Sequence, residues 1–264
     1  MIRSAGRPAP AGPDEAPPDR AAATPGATSR RVARRAWLVG AAVLVVFNLL
    51  HAFPRYATGD PHQARIPLDQ GFPEHYGVLV THVVLGNLSM VTVFLQLLPG
   101  LRRVHPRVHR ISGRLYVFAA ALPGALLALV LLPFSKAPSG GIGLATMAVL
   151  WIATTVAGYV RARQGRFHDH RRWMVYSFAL ALGTSWGRVL SEAMTYIPGF
   201  RIDVFPLLEI SSWLGWIINL LVAHWWLQRS APPAGLPDGR GAGRAGRAGL
   251  PDRGGPGRAG ARPS

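Results

Sequence analysis

Cysteine is absent from the 264 residues. That excludes disulfides, thiolate catalysis, iron–sulfur clusters and cysteine-ligated zinc, so any bound metal would rest on histidine and carboxylate. Acidic residues are scarce too: 12 Asp and Glu face 29 Lys and Arg, for a formal charge of +17. Enzyme signatures are also missing. Ser and His occur without a G-x-S-x-G elbow, there is no H-E-x-x-H, and Gly140-Gly141-Ile142-Gly143 is a loop before an apolar run rather than a phosphate cradle. No catalytic residue is assigned on this reading.

What the chain does have is 49% hydrophobic residues and a mean hydropathy of +0.20, which conflict with so high a charge in a soluble protein. The conflict disappears if apolar membrane spans alternate with arginine-rich, water-exposed pieces. Nucleic-acid binding, the rival explanation of a pI near 11.7, needs a basic face on a folded domain. Here the arginines fall in tails and short loops, so nucleic acid is not an expected partner.

Residues 1–35 form a Pro/Ala/Gly-rich, basic tail that lacks the aromatic and branched residues needed to offset ordering entropy, and disorder is expected there. Six apolar spans follow, over about 36–53, 76–98, 112–133, 142–160, 173–196 and 206–228. The first carries a basic run before it but no convincing cleavage site after it, so it reads as an anchor rather than a signal peptide. Pro123-Gly124 predicts a kink in span three, with a freed carbonyl to be satisfied by a neighbour or water. Residues 230–264 repeat Gly-Arg-Ala units and are expected to be disordered.

The connections after spans two and four hold ten arginines, from Arg102 to Arg172, whereas those on the other side hold only Arg55, Arg65, Lys136 and Arg201. The positive-inside rule then places both termini in the cytoplasm. The expected fold is all-α, a polytopic membrane bundle of six transmembrane helices, with membrane lipid as its first partner.

Ionisable groups inside such spans cost a few kcal/mol each at mid-depth, roughly 3 for an arginine, and mark candidate sites. Arg188 and Glu192 lie four residues apart on one face of span five, on a stripe that continues through Ser177, Ala181 and Thr184. Span two carries a matching stripe of His82, Gly86, Ser89 and Gln96. With a rise of about 1.5 Å per residue, His82, Arg188 and Glu192 fall at similar depths in the outer half. His82, Gln96, Arg188 and Glu192 are therefore the candidate ligand-binding residues, suited to an anionic or quinone-like small molecule or to a proton relay. The competing reading is structural: Arg188 and Glu192 neutralise each other, and His82 is a satisfied core histidine.

A second group, His105, His109, His168, His170 and His224, lies towards the basic side. Of these, His109, His170 and His224 are candidates for a b-type haem or a metal, since imidazoles on facing helices ligate both. Only His224 lies well inside a span, and His82 has only His51 as a partner at its own level. A haem-carrying electron-transfer protein and a proton-coupled transporter are thus alternatives to small-molecule binding or an accessory role.

Two junctions add a resemblance. His109-Arg110-Ile111-Ser112-Gly113-Arg114-Leu115-Tyr116, with His82, Gly86 and Gln96 before it, and His170-Arg171-Arg172-Trp173-Met174, with Arg188 after it, occur in order at helix entrances. Over about Tyr76 to Tyr196 the chain resembles an uncharacterised bacterial family of predicted membrane proteins, a domain of unknown function. Where that family often has an arginine shortly after the Trp-Met pair, this chain has Tyr176. The resemblance implies an integral protein of the bacterial plasma membrane, no established activity, and structural roles for Arg110, Gly113, Arg114, Tyr116 and Trp173.

Overall fold

The computed structural model describes residues 25–64 and 66–229, and every regular element among them is helical. The tails expected to be disordered lie outside the described residues over 1–24 and 230–264; residues 25–35, expected to belong to the first tail, are helical. Contacts divide the chain into one unit up to Ala223 and another from His224 onward, of which only the end of the last helix is described.

Helix α1 runs over Pro25–Ala57, α2 over His75–Leu97 and the short α3 over Leu101–Val104. Helix α4, Pro106–Arg114, passes through a π-helical segment, Leu115–Ala121, into α5, Leu122–Leu131. Then come α6 (Gly141–Arg163), α7 (Phe167–Gly183), α8 (Ser185–Tyr196) and α9 (Val204–Arg229). Among the described residues, five stretches are long and apolar enough to cross a membrane: Arg35–Ala57, His75–Leu97, Pro106–Phe134, Gly141–Arg163 and Val204–Arg229.

Two expectations need correction. The basic segments between spans are not loops: α3 and α4 occupy most of 101–114, and only Gln164–Arg166 separates α6 from α7. Arginine is a good helix former and Pro106 supplies a pre-set first turn, so helices continue past the apolar runs. The expected fifth span, 173–196, is also not one helix. It breaks at Thr184, leaving α7 and α8 as separate pieces.

That break lies at a close helix crossing. A Cβ on Gly183 would stand 2.6 Å from Trp216 Cβ, and one on Gly215 would stand 2.5 Å from the Gly183 carbonyl oxygen. Gly187 meets Ser211 and Gly143 meets Ser212 at comparable distances. Glycine lets α9 lie almost on the backbone of its neighbours, as small residues do at membrane-helix interfaces. Gly86, on the expected span-two stripe, has nothing within 4 Å of its Cβ position, so the close approach is not there.

Where a kink at Pro123-Gly124 was expected, span three carries a π segment just before it, which ends with the Leu122 N–H on the Val117 carbonyl. In the core beside it, Trp151 Nε1 donates to the Tyr116 hydroxyl at 2.9 Å, Tyr116 and Ser177 hydroxyls lie 2.6 Å apart, and Ser177 is 2.7 Å from Thr155. All three hydroxyl residues are fully buried, so the network satisfies polar groups that would otherwise lack partners away from water.

At the end opposite the arginine-rich turns, Asp69 pairs with Lys136, joining two loops, while Phe72 and Phe134 pack with ring centroids 4.4 Å apart. The Lys136 hydrogen bond, then that from the Gly71 N–H, hold the Asp69 carboxyl below the ordinary carboxylate range. The Asp69 N–H donates to buried His75 Nδ1 at 2.9 Å.

Candidate functional site

The candidate site forms where α1 meets α8. Asn48, one polar amide in the apolar run of α1, is fully buried. Its Nδ2 donates to the Leu44 carbonyl at 2.7 Å and to Ser185 Oγ at 3.0 Å, leaving Oδ1 to accept from an Arg188 guanidinium nitrogen at 2.5 Å. One turn further along both helices, His51 Nδ1 stands 2.7 Å from Glu192 Oε1. The His51 side chain is only 6% exposed, so the carboxylate holds it in a nearly dry setting.

Arg188 and Glu192 thus both reach across to α1, four residues apart on one side and met by Asn48 and His51, three apart, on the other. Ridges at i, i+3 and i+4 face each other in packed helices, which makes these two contacts geometrically compatible. Beside the pair, Val43, Leu44 and Phe47 of α1 and Val189, Ala193 and Glu192 of α8 line an open groove of about 470 Å³. Glu192 is the charged residue in that lining.

His82 lies within electrostatic reach of Arg188. Its Nδ1 is 2.9 Å from the Gly124 carbonyl, and because a carbonyl only accepts, the proton sits on Nδ1. When the ring is neutral, Nε2 is its acceptor nitrogen. Gln96 is not brought to this site. It lies about 21 Å along α2 from His82, at about 1.5 Å per residue, and Nε2 donates to the His109 carbonyl at 2.8 Å and to Ser112 Oγ at 2.7 Å.

At the arginine-rich end, His170 Nδ1 likewise donates to a backbone carbonyl, that of Gly158, at 2.8 Å. A Cβ on Gly158 would stand 2.6 Å from Met174 Sδ, so His170 and Met174, one turn apart, both seat on this glycine. That gives the His-Arg-Arg-Trp-Met motif a packing role. Trp173 adds an edge contact to Tyr176 at 6.2 Å. A Cβ on Gly113 would stand 3.5 Å from the Gln96 amide nitrogen, and Tyr116 anchors the buried hydroxyl network, while Arg110 and Arg114 are exposed. His109 Nδ1 is buried without a hydrogen-bond partner among the described residues, with Arg102, His170 and Arg110 around it. His224, in the second unit, is exposed and 3.4 Å from Gln228. Among the described residues no three His, Asp or Glu gather as ligands for a metal ion.

The model of the predicted membrane protein family DUF2306 matches residues 79–227, more than half of the chain. The chain belongs to that family. The match takes in both junction motifs and extends beyond Tyr196 through most of α9. No curated protein and no solved structure matches the chain. DUF2306 has no established activity, so membership makes this a membrane protein of unknown function.

Asn48 and Ser185 are the site residues that sequence reasoning missed. A lone asparagine in an apolar span was the available signal for the first, because a buried amide in lipid must find partners. Ser185 follows the Gly183-Thr184 break, which carries no proline to announce it.

Proposed function

We propose that this DUF2306 protein binds a membrane-dissolved amphiphile in the groove between α1 and α8, with its polar head at the His51–Glu192 pair. The groove supports this because its apolar lining is interrupted by one charged group, the Glu192 carboxylate. A carboxylate only accepts hydrogen bonds, so the matching head is a donor: an alcohol, phenol or hydroquinone rather than an anion. The Arg188–Asn48–Ser185 chain fixes α8 against α1 and so sets the width of the groove. The wider arrangement on this reading is six spans, with α7 and α8 together as the fifth, both termini cytoplasmic, in the bacterial plasma membrane.

The probe is a short-chain alkyl hydroquinone, kept reduced and titrated into the purified full chain, with tryptophan fluorescence as readout. Saturable quenching is expected, weakened at least about tenfold for the dimethyl ether, which has no O–H to donate, and for Glu192→Gln, the size expected when a buried polar partner is lost. Ala193→Trp should fill the groove and abolish binding. Equal affinity of hydroquinone and dimethyl ether would refute a donor-specific site.

One observation favours a second reading. His82 and His170 both have Nδ1 tied to a backbone carbonyl, the tautomer whose neutral ring offers Nε2 to a haem iron or metal. Protein purified from haem-replete cells would then show a Soret band that His82→Ala or His170→Ala removes, and a colourless preparation would dismiss this reading.

A further inference from the structure

A third region lies outside the groove, at the arginine-rich end. Along α4 and the π segment, Val108, Ile111, Leu115 and Phe118 recur at steps of three and four and are all exposed, Phe118 by 53%. Offset by one residue, Arg107, Arg110 and Arg114 of α4 form a parallel exposed row. An apolar stripe beside a basic one on the same helix belongs at the boundary between acyl chains and headgroups.

The neighbouring helix supplies the other half. Phe118 meets Tyr159 of α6 edge-on, ring centroids 4.9 Å apart. Arg114 lies one turn from Phe118 towards the basic end, and Arg163 lies one turn from Tyr159 in the same sense, its guanidinium donating to the Tyr159 hydroxyl at 3.3 Å. The aromatic contact therefore brings two arginines to adjacent positions above one apolar step. Exposed Val156 and Val160 continue that step along α6. Between residues 99 and 172 the sequence contains one carboxylate, Asp169, and it is engaged with Arg166 at 2.7 Å. The arginines of α4 and α6 thus have no other carboxylate on their own segments, and an external anion suits them.

We propose that α4 and α6 hold an anionic phospholipid of the inner leaflet, its phosphate between Arg114 and Arg163 and an acyl chain along Phe118, Val156 and Val160. The site is separate from the groove, and its test does not depend on that reading. Delipidated full-length protein is titrated with phosphatidylglycerol or phosphatidylcholine of identical chains, and bound lipid is counted by native mass spectrometry. With each arginine near an anionic surface worth roughly fivefold, phosphatidylglycerol should bind at least about fivefold more tightly. Arg114→Gln/Arg163→Gln should erase that preference, while Arg240→Gln/Arg244→Gln, which removes the same charge from the tail, should leave it. Soluble glycerol phosphate, which has no chains to lie on Phe118, should not displace the lipid. Equal binding of the two lipids by the unaltered protein would overturn the proposal, as would equal loss in the tail variant or displacement by glycerol phosphate.

Discussion

Arg188 of α8 and Asn48 of α1 are joined by a 2.5 Å hydrogen bond although 140 residues separate them. A hydrogen bond to a charged donor away from water contributes about 1.5–3 kcal/mol, and the Asn48 amide also orients Ser185. Asn48→Leu is expected to destabilise the protein by about 2 kcal/mol in a reversible detergent-denaturation assay, whereas Asn48→Asp, which keeps the acceptor for Arg188 but loses the Nδ2 donor to Leu44 and Ser185, should recover only part of that loss. A double-mutant cycle with Arg188→Met should return a coupling of about 1–2 kcal/mol. A coupling near zero would mean that the two side chains do not depend on each other.

Much of this fold was legible because the apolar runs are long and punctuated. The expected limits 76–98, 142–160 and 206–228 lie within a few residues of α2, α6 and α9. Of the candidate residues, Arg188 and Glu192 reach the same helix interface. Their partners were not legible, because spacing within one helix says nothing of which other helix faces it. The break at Thr184 was hidden for a related reason. Gly183 reads as a tolerable helix glycine until Gly215 and Trp216 of α9 press against it.

That crossing gives a second prediction. A methyl group at Gly215 would fall 2.5 Å from the Gly183 carbonyl oxygen, and backbone on both sides leaves little room to yield. Gly215→Ala should therefore cost about 1–3 kcal/mol or more, the range for overpacking. Gly86→Ala, mid-helix with open space around its Cβ position, should be neutral or stabilise by up to about 1 kcal/mol through helix propensity. If the two substitutions behaved alike in the same denaturation assay, α9 would not pack on α7 as closely as described.

The loops at the opposite end predict a pH effect. Lys136 and the Gly71 N–H hold the Asp69 carboxyl below its ordinary value of 3.8, so the folded form binds its proton less readily than the unfolded one. The contribution is complete above that ordinary value and is lost as pH falls through the lowered folded value. Hydrogen exchange of the Asp69–His75 and Lys136 loops should be unchanged from pH 7 to 5 and rise only in stronger acid, once intrinsic rates are corrected. In Asp69→Asn the acid step should be absent. A rise already complete by pH 5 would assign the effect to another group.

The six-span arrangement predicts the side on which each connection lies. The absence of cysteine leaves no background, so single cysteines report position directly. Gly59 lies in the turn after α1 and Gly165 in the turn between α6 and α7, and both have open space around the Cβ position. A substitution at Gly59 or Gly165 is strained by their positive φ, so the flanking Thr58 and Gln164 are the better sites. In intact cells a membrane-impermeant maleimide should label Thr58→Cys and spare Gln164→Cys, and lysis should expose the second. Because α7 and α8 are each short, the test of their joint crossing is Phe200→Cys, in the turn after α8. If α7 and α8 cross together, Phe200→Cys labels with Thr58→Cys from outside. If they fold back as a re-entrant pair, it labels with Gln164→Cys only after lysis, and the chain has five spans.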